Sequence, residues 1–86
     1  MISSSQVSVG SAATLLHDCT KWARVSIHNV DNTKSLYLGG AAVTTANGLP
    51  LLKQETMQLH MSPGETLYGV STDNSGHVIG VLVQAP

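Results

Sequence analysis

From Ala23 to Asn29 the side chains alternate: Val25 and Ile27 fall on one parity, Arg24, Ser26 and His28 on the other. That period of two is the signature of a half-buried strand. Met57-Gln58-Leu59-His60-Met61 repeats it, and Leu36-Tyr37-Leu38 and Tyr68-Gly69-Val70 are shorter versions. Val78 to Val83 is apolar on both parities except at Gly80, which predicts a central strand or one covered on both sides. Residues 12–22 are the one window that admits a helix, and Thr14, His17 and Thr20 interrupt its apolar stripe; a strand over 12–16 is the better fit.

Turn residues separate these runs. Ser62-Pro63-Gly64-Glu65 predicts a type II turn, with Pro second and Gly third. Asp73-Asn74-Ser75-Gly76 predicts a type I turn closed by glycine, Asn47-Gly48 a tight turn, and residues 29–33 a polar loop. Together they predict about seven short strands, near 6–9, 12–16, 23–29, 35–39, 55–61, 66–72 and 77–84. The fold class is all-β: a single antiparallel β-sandwich, immunoglobulin-like or jelly-roll-like, or a small barrel. Residues 40–53 form the longest connection, within which Ala41 to Thr45 can pair briefly. Residues 1–6 are polar and read as an N-terminal arm, with the sandwich spanning 7–86. Removing such an arm is expected to leave the fold intact.

Composition narrows the function. The chain has 86 residues, net charge −1, four basic side chains, one cysteine, one Trp, two Tyr and no Phe. Its core must therefore be aliphatic, and it suits a subunit supplemented by neighbours. Lys21, Arg24, Lys34 and Lys53 cannot neutralise a run of phosphates, so no nucleic acid is expected as partner. No 18-residue apolar run exists, so no membrane span is expected, and the first residues lack the features of a signal peptide. The low charge suits a surface that is covered in an assembly.

Little chemistry is encoded. His17, His28, His60 and His77 form no H-x-H or H-E-x-x-H pair, so neither a metal nor a cofactor is expected. His28 and His60 share the polar parity of two strands and can meet across a sheet or a symmetry axis. His17 and Cys19 have the residue types of a Cys–His pair without its facing geometry, and no enzyme is expected. Trp22 is either an aromatic platform for a sugar, a cap over the end of the sandwich, or a subunit contact. Leu49, Leu51 and Leu52 either fold back onto the core or contact another chain.

Three blocks carry a resemblance. Leu36-Tyr37-Leu38-Gly39-Gly40, then Val43-Thr44-Thr45-Ala46-Asn47-Gly48-Leu49-Pro50-Leu51, then Ser62-Pro63-Gly64-Glu65-Thr66-Leu67-Tyr68-Gly69-Val70 resemble a group of small tailed-bacteriophage virion proteins, among them capsid decoration (cement) proteins. Val25 to Asn29 fills the place of that group's preceding strand. The chain departs from the pattern at Leu52-Lys53-Gln54, where a Pro-Gly-type turn is expected, and at the polar start Ile2 to Gln6. The resemblance implies a non-enzymatic protein made in the host cytoplasm and held on the capsid surface. Its implied partners are the major capsid protein and itself, as a homotrimer, and its implied role is to stabilise the head against internal pressure. The alternative is a tail, baseplate or fibre module that contributes to glycan binding. The candidate interface residues are Ile2, Ser3, Ser4, Ser5 and Gln6 of the arm, with Trp22, Leu49, Leu51 and Leu52.

Overall fold

A computed structural model of the chain describes residues 2–30, 34–72 and 77–85. The predicted turn at 73–76 and most of the 29–33 loop lie outside those residues. Eight strands form: β1 (Ile2–Val9), β2 (Thr14–Asp18), β3 (Ala23–Asn29), β4 (Leu36–Gly39), β5 (Leu49–Leu51), β6 (Thr56–Met61), β7 (Thr66–Val70) and β8 (His77–Gln84). They make two open four-stranded antiparallel sheets, ordered β1-β8-β3-β6 and β2-β7-β4-β5. The architecture is the predicted β-sandwich, in its jelly-roll form rather than a closed barrel. The pairs β1·β8, β2·β7, β3·β6 and β4·β5 nest like one long hairpin rolled over on itself.

Parity builds the core. Val25, Ile27, Ile79 and Val81 from one sheet meet Leu16, Leu36, Leu38 and Leu67 from the other, all buried. The core is aliphatic, as three aromatic residues in the chain require. In β2, the register shifts between Leu15 and His17, a bulge that turns the extra residue, Leu16, into the core. The bulge also carries the strand to Asp18, beyond the predicted 12–16.

Residues 2–6 are not an arm. They are the first part of β1, paired with β8 from Ile2↔Gln84 to Gln6↔Gly80. Their serines carry no apolar alternation, so only the partner strand reveals them as a strand. Removing them would strip the edge of β8, and an intact fold is no longer expected.

The 40–53 segment pairs at Leu49–Leu51 rather than at 41–45. β5 is an edge strand, which is where a proline such as Pro50 is tolerated. The preceding loop folds back over the outer face of β4 and β7 and seats Val43 there, buried. Glycine makes this possible. A Cβ at Gly39 would lie 2.8 Å from Val43 Cγ2, and one at Gly48 would lie 2.7 Å from Tyr37 Cβ. Gly48 N donates to Thr44 O at 2.9 Å, so Asn47-Gly48 closes a five-residue turn and not a two-residue hairpin. The Tyr-Leu-Gly-Gly and Thr-Thr-Ala-Asn-Gly blocks are thus the parts of this lid.

Two turns share one design. In Ser62–Glu65, Gly64 has φ +90°, and Glu65 N donates to Ser62 O at 3.1 Å, the predicted type II turn. In Leu52–Glu55, Gln54 has φ +58°, and Glu55 N donates to Leu52 O at 3.1 Å. Each glutamate then accepts a hydrogen bond from the first residue's N–H, at 2.6 Å from Ser62 and 2.7 Å from Leu52. The Lys53-Gln54 departure from Pro-Gly therefore keeps the turn and places a side chain in left-handed backbone. Gln54→Gly is expected to stabilise the chain by about 0.5–1 kcal/mol. A urea midpoint that falls in the variant would refute this.

The Glu65 carboxyl is held below its ordinary pKa of 4.5 by the backbone N–H and then the hydroxyl of Ser62. A depressed carboxylate contributes stability above its unfolded pKa and loses it as pH falls through the folded value. Wild type is therefore expected to lose more stability between pH 6 and about pH 3 than Glu65→Gln does. Urea melts of both proteins at the two pH values check it.

Candidate interaction surface

The two sheets treat their outer faces differently. The outer face of β2-β7-β4-β5 is partly roofed by the Val43 loop. The outer face of β1-β8-β3-β6 is left open by the described residues. Across it run the rows Ile2–Gln84–Arg24–His60, Ser4–Leu82–Ser26–Gln58 and Gln6–Gly80–His28–Thr56, read directly from strand register. All are exposed except Ser26 and Gly80, which are half-buried. Arg24 is the one Lys, Arg, Asp or Glu among them. Val78 and Leu82 stand outward at 37% and 44% exposure, although β8 is a central strand. The predicted second cover of β8 is thus not supplied by the described residues.

A groove of about 680 Å³ crosses this face, lined by Ser4, Gln6, Ser26, His28, Thr56 and Leu82 around Gly80. A Cβ at Gly80 would meet nothing closer than 3.9 Å, so packing within the chain does not require glycine there. Its effect is to keep the face low between Gln6 and His28.

The edges of this sheet are β1 and β6. Exposed edges are normally blunted by charge, proline or bulges. Ile-Ser-Ser-Ser-Gln-Val-Ser-Val and Thr-Met-Gln-Leu-His-Met contain no charged residue and no proline. Edge and face together form one surface on which Arg24 is the one formal charge among the rows named.

The candidate interface residues divide over this frame. Ile2, Ser3, Ser4, Ser5 and Gln6 lie exposed on the β1 edge. Trp22 sits between β2 and β3 at 63% exposure, so it does not cap the sandwich within the chain. Leu49 and Leu52 are exposed at the opposite sheet's β5 edge, whereas Leu51, at 2%, belongs to the core and presents no surface. Strand parity separates Leu51, which pairs with inward Leu36, from Leu52. Leu49 shares the parity of Leu51 and pairs with inward Leu38, but at the start of the edge strand it stays exposed. His28 and His60 do not meet within the chain. His28 Nδ1 pairs with Thr56 Oγ1 at 2.8 Å, and His60 Nε2 accepts from Arg24 Nε at 3.3 Å. Cys19 is buried, with its Sγ donating to Lys21 O at 2.7 Å.

A second polar constellation is internal. Asn29, Ser71 and His77 are each at most 2% exposed. Asn29 Nδ2 faces three carbonyls, of Lys34 at 2.9 Å, Leu51 at 3.1 Å and Leu52 at 3.2 Å. Its Oδ1 must then be the acceptor of the 2.7 Å bond from His77 Nε2–H. In the neutral imidazole this leaves Nδ1 as the acceptor for the Ser71 hydroxyl, 3.0 Å away. The order Ser–His–Asn has the residue types of a hydrolytic triad. Ser71 is enclosed, however, and its N–H is taken by Gly10 O at 2.8 Å. The geometry makes this trio a tie between β3, β8 and the segments before β4 and after β5. Strand parity carried the signal for two of its members: Asn29 shares the inward parity of Ile27, and His77 that of Ile79.

Among the described residues no three His, Cys, Asp or Glu side chains converge as metal ligands.

No protein-family model matches the chain, and no curated protein does. Among solved structures, a chain of Bacillus endospore appendages, described as a novel family of disulfide-linked pili, is similar over 99% of this chain and 85% of its own. The TM-score is 0.62 at 10% identity, a likeness of fold.

Proposed function

We propose that the chain is a capsid decoration protein of a tailed phage, bound in many copies, as trimers, to the outer surface of the head. The observation that carries this is the uncovered face of β8: Val78 and Leu82 stand outward on an exposed sheet face whose rows hold one formal charge. The three sequence blocks supply the phage context, and the jelly roll is an architecture used in viral capsids. A fold shared with a pilus chain is in keeping with a repeated structural subunit. The disulfide linkage of those pili does not transfer, because a chain-forming disulfide polymer needs two thiols per subunit and this sequence has one, buried.

The size of the face sets the mechanism. Four strands about 4.8 Å apart and about seven residues long cover roughly 450 Å². A standard stable interface buries about 800 Å² per partner. One subunit on one site would hold weakly, and a trimer bridging neighbouring capsomers multiplies the contact without new chemistry. Each bridge is lost when capsomers separate, so bound trimers favour the closed shell by mass action.

Heads stripped of the protein are expected to release DNA at a lower temperature than intact heads, and added purified protein to restore the release temperature. Release unchanged by stripping and add-back would count against the proposal. The second reading, a tail, baseplate or fibre module, is favoured by one observation, the exposed Trp22.

A further inference from the structure

We infer that the end of this sheet around Trp22 and Arg24 is a binding site for an acidic saccharide, a pyranose bearing a carboxylate. Arg24, Gln84 and His60 form the end row of the open face, so the site is a property of the free chain and of any assembly that leaves this end of the face uncovered. Trp22 is the chain's one tryptophan and is 63% exposed, so a large apolar ring is kept in water where it contributes little to the core. Trp22 immediately precedes β3, and it lines one groove together with Arg24, the second residue of that strand. Register then places Gln84 of β8 on one flank of Arg24 and His60 of β6 on the other. These four residues, with Ala23 and Ala85, line a groove of about 400 Å³.

The donors in this groove are oriented. Arg24 Nε donates to His60 Nε2 at 3.3 Å, which anchors one edge of the guanidinium and leaves its terminal nitrogens for a ligand. Among the described residues Arg24 has no carboxylate partner, although it is the one formal charge in the rows of this face. A guanidinium held in this way recognises a carboxylate in a bidentate fork. The indole face offers a stacking surface for the C–H face of a sugar ring, and the Gln84 amide can both donate to and accept from ring hydroxyls. Trp22 and Arg24 in one groove suit a ring stacked on the first with its carboxylate on the second. A protein partner would also use Trp and Arg as anchors. The small groove, which sets the amide of Gln84 and the imidazole of His60 beside the indole, favours the sugar.

The single tryptophan makes the test direct. The purified chain is titrated with tetragalacturonate, maltotetraose and sodium acetate, and Trp22 emission is followed. A saturable change is expected with tetragalacturonate, with affinity for the neutral maltotetraose at least about tenfold weaker and no response to acetate in the same range. Arg24→Gln is expected to lose about tenfold or more in affinity with an unchanged circular dichroism spectrum, and Arg24→Lys to recover only part. A flat titration overturns the inference, as does an equal response to acetate, which means an adventitious ion only. Equal binding of the neutral sugar, or full binding by Arg24→Gln, overturns it too. Loss of particle binding by Trp22→Ala together with a flat titration assigns Trp22 to a protein contact instead. The assay contains no phage particle, so its failure leaves the capsid proposal standing, and failure of that proposal leaves this result unaffected.

Discussion

Asn29→Ala is expected to destabilise the chain by about 3–5 kcal/mol. The alanine removes the donor to the carbonyls of Lys34, Leu51 and Leu52 and the acceptor for His77 Nε2–H. Leaving a buried polar group unsatisfied costs about 1–3 kcal/mol, and several are orphaned at once. A domain of this length is stable by roughly 4–13 kcal/mol, so the loss is a large share of the whole. In melting temperature it amounts to about 15 °C or more. Ser71→Ala is the internal comparison. It removes only the donor to His77 Nδ1 and is expected to cost about 1 kcal/mol. Thermal and urea melts of both variants check the order. Equal, small losses would mean that Asn29 is not the hub of this tie.

Leu82→Lys is expected to lower capsid binding by more than about a hundredfold while leaving the melting temperature within a few degrees of wild type. Leu82 is 44% exposed and sits between Ser4 and Ser26 in the middle of the open face. In the free protein the lysine ammonium reaches water. In a covered face it is an unpaired buried charge, which costs several kcal/mol. Thr66→Lys places the same charge at the exposed first residue of β7 in the opposite sheet and is expected to change occupancy little. Pelleting of each variant with stripped heads reads the difference. If both lysines are tolerated, the open face is not the capsid contact.

Much of this fold is legible in the sequence, and its limits have physical causes. β3 and β8 fall at 23–29 and 77–84 as predicted, because strict parity and apolar density signal a strand regardless of context. β1 is legible only from residue 6 onward, since a serine run acquires strand structure by pairing with β8 and not by burying side chains. β5 is three residues long and contains Pro50, which argues against a strand until its edge position is known. The tie among Asn29, Ser71 and His77 crosses 48 residues between Asn29 and His77. Parity points two of the side chains inward, but only the rolled topology brings them together. The open face is half legible: the sequence marks β8 as apolar on both sides, and the structure shows which side the described residues leave uncovered.

Copy number decides most directly whether this chain coats a head. Quantitative mass spectrometry of purified virions, scaled to the major capsid protein, is expected to count hundreds of copies per particle. A count of a dozen or fewer would place the chain elsewhere in the virion and overturn the proposal that it decorates the capsid.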